Sequence, residues 1–366
     1  MGEFYNKYRL FFIILIILIT GFLLWYFSNI VIFIIVAVVL SIIGSPLVGL
    51  LDKIRIWKFK FPHVLSVVIT LLLMIVLFFG LFSFFIPLIM KEADMISNID
   101  GKALMDYYKT EIAWSQNFML KYGIIPRGAT LESSLKEMAL KLLDFSFFSN
   151  ILSKIISFAG FFLFSVLSIL FLTFFFLHDT KMMPRLILLI VPTKYEEQTR
   201  NVMMKSKNLL SRYFIGLIIQ VFLNIITYSL ALTIIGVKGA LVIGFFAGII
   251  IVIPYIGGII AIITGIVLGV TGVISAGDYS NIGSTAIWII IAMLAVQMVD
   301  NNVFQPYIQG KVVRAHPVEI FLLIIAAASI GGIPAMIIAI PAYGFLKIVA
   351  VEFLSQFRLV KKFSDR

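Results

Sequence analysis

Near its C-terminus the chain reads Pro254-Tyr255-Ile256-Gly257-Gly258 and later Gly331-Gly332-Ile333-Pro334, each in the middle of a long apolar stretch. The two stretches, residues 238–273 and 318–347, are too long for one straight membrane span. A broken helix in a bilayer leaves backbone groups without partners, which lipid cannot supply. Such breaks persist where they line a cavity or lie against protein, and paired breaks often mark a transport site.

The helical arms that precede the two breaks are short. At about 1.5 Å per residue, residues 238–253 would form a helix of roughly 24 Å and residues 318–330 one of roughly 20 Å. Neither comfortably crosses a hydrocarbon core of about 30 Å. We therefore predict two re-entrant hairpins whose tips approach each other at mid-membrane. Two pairs of short, complete spans are the alternative, because both arrangements leave the chain on the same side of the membrane.

The composition indicates a membrane protein. Of the 366 residues, 61% are hydrophobic and 13% are charged, whereas about 25% charged residues is usual in soluble domains. Residues 10–27 and 64–88 carry no charge and are long enough to cross a bilayer. These runs lack the alternation of a transmembrane β-barrel. The chain has no cysteine, which excludes disulfides and thiolate chemistry.

The net charge of +11 is unevenly distributed. The basic excess lies in residues 52–62 and 178–213 and in the tail from Lys347, whereas residues 90–154 are balanced. Basic loops that alternate with neutral ones follow the positive-inside rule. The pattern predicts cytoplasmic N- and C-termini, and it favours a membrane topology over a nucleic-acid surface.

The sequence therefore predicts an all-α polytopic membrane protein with a small helical extracytoplasmic insert. About six full transmembrane helices are expected, at residues 10–27, 30–51, 63–89, 151–177, 214–235 and 285–299. From residue 214 the order is span, hairpin, span, hairpin. Because an odd number of crossings separates the two hairpins, they form an inverted repeat.

Five regions follow from this order. They are N-terminal scaffold helices (1–89), the insert (90–150), a span with a basic cytoplasmic helix (151–213), a transport unit (214–350) and a basic cytoplasmic tail (351–366).

Asp300 is the leading candidate for a functional side chain. It lies at the inner end of an otherwise apolar helix, and ionisable groups at membrane depth are costly and usually functional. Its carboxylate could bind a cation or a proton as its hydration changes. The alternative is a carboxylate at the water boundary that pairs with Lys311 or Arg314.

Neutral polar side chains surround this position in the sequence. Gln297 and Asn301 are one helical turn apart, as are Gln220 and Asn224 in the other repeat. With Gln305, they suit a polyhydroxylated solute or a partly dehydrated ion. Interhelical hydrogen bonds, worth about 0.6 kcal/mol on average, explain them nearly as well.

The hairpin tips could bind a ligand through backbone groups alone, although ordinary tight turns are the simpler explanation. The tip residues are Pro254, Gly257, Gly258, Gly331, Gly332 and Pro334. His316 and Glu319 are three residues apart, which indicates a helix start. Two residues at that spacing do not make a metal site, and none is predicted.

Several of these segments together resemble the autoinducer-2 exporter family. The resemblance is carried by Gln297-Met298-Val299-Asp300-Asn301-Asn302-Val303-Phe304-Gln305-Pro306-Tyr307-Ile308-Gln309-Gly310, by His316-Pro317, by both hairpin tips and by Pro341. Pro306, Gly310, His316, Pro317 and Pro341 are the implied structural or gating positions. Ala315 replaces the family's usual leucine before His-Pro.

The resemblance implies a transporter of the bacterial cytoplasmic membrane. Members of the family are associated with export of autoinducer-2, a small furanosyl diol, and others with exchange of Na⁺ or Li⁺ for protons. The resemblance also implies a homo-oligomer, a pentamer or a trimer, with membrane lipid around it.

The predicted function is secondary transport by alternating access, through a rocking or elevator-like movement. The sequence contains no HExxH, P-loop or GxSxG motif, so we expect no enzyme and no cofactor beyond a coupling ion, H⁺ or Na⁺. A passive pore gated by dewetting and a non-transporting scaffold that binds a partner through the insert are the alternatives.

Overall fold

The computed structural model describes residues 15, 18–23, 25–56, 59–97, 159–254, 256–309 and 316–354. Several predictions concern segments outside these residues: most of the first span, most of the insert, the start of the span at 151–177, Gly310, the pairing of Asp300 with Lys311 or Arg314, and the end of the tail.

Nearly all of the described chain is helical. The α-helices are α1 (Ser28–Leu51), α2 (His63–Ser97), α3 (Ala159–His178), α4 (Met182–Ile190), α5 (Glu196–Ile234), α6 (Ala240–Ile250), α7 (Ile256–Ile274), α8 (Ile282–Val299) and α9 (Pro317–Leu354). A π-helix, Asp300–Gln309, follows α8, and short 3₁₀ turns occur at Thr193–Tyr195 and Tyr279–Asn281. The strands β1 (Arg55–Ile56) and β2 (Phe59–Lys60) pair antiparallel. Apart from this small ribbon, the all-α prediction is confirmed.

Within the described residues, seven helices are long and apolar enough to cross a bilayer. Helices α1, α2, α3, α5 and α8 correspond to predicted spans, and α7 and α9 belong to the two broken stretches. The chain is therefore a multi-pass membrane protein. The re-entrant path of the hairpins through the bilayer stays a prediction.

Two helices extend beyond their predicted ends. Helix α5 runs unbroken from Glu196 to Ile234, whereas we expected a basic helix to end at residue 213 and a span to begin at 214. No proline occurs between these ends, so the backbone has no reason to break there. Helix α2 continues to Ser97, which places Glu92 inside the helix.

The chain divides into two compact units. The first contains residues 1–76 and 155–200. In it, α1, α2 and α3 converge where a Cβ at Gly44 would lie 3.2 Å from Thr70 Cγ2 and 3.3 Å from Leu177 Cδ2.

At one end of this unit the His63 ring bridges two oxygen atoms. Its Nδ1 lies 2.9 Å from Asp52 Oδ2, and its Nε2 lies 3.2 Å from the His178 carbonyl. Burial raises the pKa of the Asp52 carboxyl, but the nearby Ser66 hydroxyl and His63 ring lower it by more, so the pKa lies below its ordinary value. The ends of α1, α2 and α3 are thus joined by polar contacts.

The second unit contains residues 77–154 and 201–366. Glycines let its helices approach closely, as is typical of membrane interfaces. A Cβ at Gly244 would lie 2.6 Å from the Ser229 backbone nitrogen, and one at Gly248 would lie 2.7 Å from that of Ile225. These contacts fix α6 against α5.

A second glycine stripe joins α7 to α8. Gly265 lies against the Met293 side chain, and Gly269 lies against Ile289. Both partners are fully buried in the core that α5, α6, α7 and α8 share.

Residues 240–274 form the first hairpin, in which α6 and α7 pack side by side and a turn at residues 251–254 follows α6. Its arms are unequal, because α6 has 11 residues and α7 has 19. By length, α6 is too short to cross a bilayer, whereas α7 is one of the seven helices that are long enough.

The second hairpin lies within α9, whose helical backbone breaks at Gly331 and Gly332. Gly332 has φ 60° and ψ −148°, a conformation essentially restricted to glycine. The Tyr343 hydroxyl donates to Glu319 Oε2 at 2.9 Å across 24 residues. A straight helix would separate such residues by roughly 36 Å, so the chain doubles back at the break.

The two hairpins meet at Ile253, in the turn of the first one. Ile253 packs against Ile324 and Met336, which lie on opposite arms of the second hairpin. The first tip therefore contacts the arms of the second hairpin, one to two turns from Gly331 and Gly332.

Candidate functional site

The Asp300 carboxylate lies in a buried cluster between α5 and the end of α8. Gln220 Nε2 donates to both of its oxygens, at 2.9 Å to Oδ1 and 3.0 Å to Oδ2. Asn224 Nδ2 donates to Oδ1 at 2.6 Å. Asp300 is 2% exposed and Asn224 is fully buried. The structure thus brings together three predicted site residues from the two repeats.

Helix geometry explains this convergence. Gln220 and Asn224 are one turn apart on α5 and point to the same side. The apolar part of α5 begins at Phe214, so Gln220 and Asn224 lie roughly 9 Å and 15 Å into it at about 1.5 Å per residue. This depth favours an intramembrane Asp300 over a carboxylate at the water boundary.

Neutral donors hold the carboxylate. Among the described residues, no Lys, Arg or His forms an ion pair with Asp300. The amide oxygen of Asn224 is also buried and accepts no hydrogen bond. A buried charge without a counter-charge costs several kcal/mol. A proton or a cation on the carboxylate would relieve that cost, and the free amide oxygen can accept a hydrogen bond from a protonated carboxyl or ligate a cation.

The backbone changes character at the same residue. Asp300 begins the π-helix, which contains Pro306 and continues to Gln309. Short π-helical segments occur frequently at functional sites. The wider turn also rotates the following side chains, because the periodicity of 3.6 residues no longer holds.

The other predicted polar residues lie outside the Asp300 cluster. Asn301 and Gln305 are exposed and stand outside the Asp300 cluster. Gln297 instead faces the first hairpin, where a Cβ at Gly258 would overlap its side-chain amide. Gln297 therefore links the start of α7 to the turn of helix that precedes Asp300.

The remaining predicted positions are scattered. Gly257 is buried against the Ile250 carbonyl, Pro254 is half-buried and Pro341 is buried. Exposed positions outside the Asp300 cluster are Gly331, Gly332, Pro334, Pro306 and His316. Pro317 begins α9.

The residue pair at the start of α9 has other partners in the structure. His316 Nδ1 accepts a hydrogen bond from the Val318 backbone at 3.3 Å, while Glu319 binds Tyr343 in the other arm of the hairpin. No cluster of three metal-ligating side chains occurs in the part of the chain that the structure describes.

Sequence reasoning missed two features of this unit. One is Tyr228, which continues the stripe of Gln220 and Asn224 by one more turn and is 1% exposed. The spacing of four residues is the signal that could have identified it. The other is the glycine stripe at residues 244 and 248, which has the small-residue spacing of membrane helix pairs.

A cavity of about 380 Å³ lies at the base of the first hairpin. Its polar lining includes Lys238, Asp278, Asn281, Ser284 and Thr285. Hydrogen bonds from Asn281 and Ser280 hold the pKa of the Asp278 carboxyl below its ordinary value. Sequence analysis treated residues 275–284 only as a polar link.

Comparison with known proteins places this architecture in a family. The chain is 28% identical over 343 residues to YueF of Bacillus subtilis (strain 168), covering 89% of this chain and 84% of YueF. It is 23% identical over 332 residues to sll0063 of Synechocystis sp. (strain ATCC 27184 / PCC 6803 / Kazusa), covering 88% and 77% of the two chains.

A third relative, YrrI of Bacillus subtilis (strain 168), is 25% identical over 185 residues, half of each chain. All three are named as transport proteins, and their names state no substrate. The family model described as AI-2E family transporter matches residues 12–355. The resemblance stated from the hairpin tips and the residues around Asp300 is thereby confirmed, and the chain belongs to the AI-2E transporter family.

Proposed function

We propose that the protein is a secondary transporter that exports a small polar solute of the autoinducer-2 kind, coupled to a proton or Na⁺ at Asp300. Membership of a transporter family supports the transport role. Relatives that are named as transport proteins also point away from an enzyme.

The observation that carries the proposal is the buried Asp300 carboxylate, held only by neutral amides among the described residues. In its ionised form this group needs a cation, and in its protonated form it needs none. A group that must hold either a proton or a cation can exchange one for the other. If this exchange occurs at a buried site, the movement of the ion is coupled to the change that opens the site to one face of the membrane or the other.

Alternating access would be produced by the unit that carries both hairpins. The first hairpin is packed tightly against α5 and α8 through Gly244, Gly248, Gly265 and Gly269, so it moves with those helices as one body. A rocking or elevator-like displacement of this body would expose Asp300 to each face of the membrane in turn.

Exchange of Na⁺ or Li⁺ for protons without an organic solute is the second candidate function. It is favoured by the unsatisfied Asn224 amide oxygen beside the carboxylate, because alkali cations bind oxygen ligands. A passive pore is less well supported, since the relatives are named as transport proteins and a buried carboxylate held by amides suits binding of an ion.

We further propose a location in the bacterial cytoplasmic membrane, with cytoplasmic termini and a homo-oligomeric assembly of three or five chains. The exposed phenylalanines of α3 support contact with lipid or with another subunit. They are Phe161, Phe162, Phe164 and Phe171.

Reconstitution into liposomes tests the proposed function. Labelled autoinducer-2 flux and sodium–proton exchange are measured side by side, with and without imposed gradients. We expect saturable autoinducer-2 flux that depends on a gradient. Exchange without autoinducer-2 flux would identify the second candidate, and single-channel currents without saturation would overturn both.

A further inference from the structure

Glu92 is the other buried charged residue of the described chain. Only Glu92 and Asp300 are both charged and buried among the described residues. Glu92 is 6% exposed, and its Oε2 has no hydrogen-bond partner. Among the described residues it forms no ion pair. The proposed mechanism makes no use of this side chain.

Aromatic packing fixes the position of Glu92. Phe85 of α2 stacks on Phe245 of α6 with ring centroids 3.8 Å apart and an interplanar angle of 17°. Two turns further along α2, Glu92 reaches the residue that precedes α6. A Cβ at Gly239 would overlap the Glu92 carboxylate, so the two helices run in opposite directions.

The environment of the carboxylate is mildly electropositive. Gly239 is the N-cap of α6 and has φ 74°, and the first N–H groups of a helix carry a partial positive charge. The charged neighbours are Lys91 and Asp94 on α2 and Lys238 beside Gly239. Neither lysine forms an ion pair with Glu92 among the described residues, and Asp94 carries the same charge as Glu92, so the ionised form is only partly compensated.

A cavity with a polar lining lies next to this end of the hairpin. Lys238, next to Gly239 in the chain, lines the cavity of about 380 Å³. A proton or a small cation could therefore enter or leave near Glu92 without crossing the apolar core.

We propose that Glu92 is a second binding site for a proton or a monovalent cation, at the base of the first hairpin. Asp300 lies towards the opposite end of the same short helix, because Gly248 of α6 touches Ile225, next to Asn224. Helix α6 has 11 residues, or roughly 16 Å. The inference rests on the proposed function and extends it to a pair of ion sites that flank α6.

The variant Glu92→Gln tests the inference, because it removes the charge and keeps the shape beside Gly239. Glu352→Gln is the matched control, since Glu352 already has partners in Lys205 and Asn201. The purified full-length proteins are melted in detergent over a range of pH, with and without sodium chloride. Gradient-driven flux is measured in liposomes under the same conditions.

In the wild type we expect the melting temperature to fall as pH rises, because a buried unpaired carboxylate then ionises, and added sodium to reverse the fall. Glu92→Gln should weaken both dependences and change the pH profile of flux. Glu352→Gln should keep the sodium dependence and the pH profile of flux. Should Glu92→Gln prove unstable, Glu92→Asp retains the ionisable group and should restore the pH and sodium dependence.

A purely structural Glu92 gives a different result. If Glu92→Gln lowers the melting temperature equally at every pH and sodium concentration, and flux keeps its wild-type profile, the inference is overturned. Asp300→Asn separates the two proposals. If Asp300→Asn retains coupled flux, the proposed function fails, whereas loss of flux with an unchanged Glu92→Gln profile contradicts only this inference.

Discussion

The two hairpins of the second unit both contain glycine and proline at their turns, but these residues have different surroundings in the two hairpins. The turn of the first hairpin is buried, with Ile253 inside an apolar cluster and Gly258 against Gln297. The turn of the second is exposed, and Ile330 beside it is 86% accessible.

The difference shows that glycine can serve two physical needs in a membrane hairpin. In the first hairpin, glycine removes side-chain volume where two backbones approach. In the second, Gly332 supplies a backbone conformation that other residues rarely adopt, and no other group lies within 4 Å of its added Cβ. The buried Asp300 cluster adjoins the first hairpin, so we assign ion coupling to that hairpin.

The largest expected effect is a difference in flux between variants of two carboxylates, one beside each hairpin. We expect Asp300→Asn to reduce gradient-driven flux by roughly 100-fold, since coupling free energies between sites reach about 3 kcal/mol. The matched change Glu319→Gln removes a carboxylate from the second hairpin and should leave flux within a few-fold of wild type. Flux assays in liposomes at matched protein density provide the comparison.

Equal losses in Asp300→Asn and Glu319→Gln would remove the functional distinction between the hairpins. Full activity of Asp300→Asn would show that the buried cluster is only interhelical packing.

The next effect concerns close packing in the first hairpin. Gly248→Val places a branched side chain against the Ile225 backbone, which cannot yield, so we expect a loss of roughly 3 kcal/mol or more. Gly80→Ala is the control, because nothing lies within 4 Å of a Cβ at Gly80. Unfolding in mixed detergent measures both variants, and equal stability would show that α5 and α6 are not in close contact.

Backbone conformation in the second hairpin gives a smaller effect. We expect Gly332→Ala to cost about 1–3 kcal/mol, because alanine is strained at the observed φ and ψ. The same unfolding assay applies, with Gly283→Ala as a control that has open space. A neutral Gly332→Ala would mean that the chain turns elsewhere.

The smallest effect tests the contact between the arms of the second hairpin. Tyr343→Phe removes the hydroxyl that donates to Glu319, and interhelical hydrogen bonds in membranes are worth about 0.6 kcal/mol on average. If both changes weaken the same hydrogen bond, the double variant with Glu319→Gln should lose less unfolding free energy than the sum of the two single losses. If the two single losses of unfolding free energy add in full in the double variant, the hydrogen bond between Tyr343 and Glu319 does not contribute.

Much of the fold and part of the site were predictable from local sequence. Charge-free runs located the spans, and glycine with proline located the turns. The spacing of one helical turn between Gln220 and Asn224 placed both residues on one helix face. Their meeting with Asp300 depends on how α5 and α8 are aligned, which long-range packing decides and local periodicity does not.

The failures have identifiable causes. Asn301 was expected to share a face with Gln297, but Asn301 is exposed and Gln297 lies against Gly258 of the first hairpin, a contact that long-range packing decides. Glu92 was assigned to the insert because the apolar run ends at residue 89. Helix α2 continues past that point, since a helix supported by tertiary packing need not stop where its hydrophobic run does.

Infrared difference spectroscopy tests most directly whether Asp300 exchanges a proton during function. The carbonyl stretch of a protonated carboxylic acid is recorded while pH or sodium concentration is changed on the reconstituted protein. We expect a protonated-carboxyl band in the wild type that responds to these changes and loses a component in Asp300→Asn. An identical difference spectrum for the wild type and Asp300→Asn would contradict this expectation.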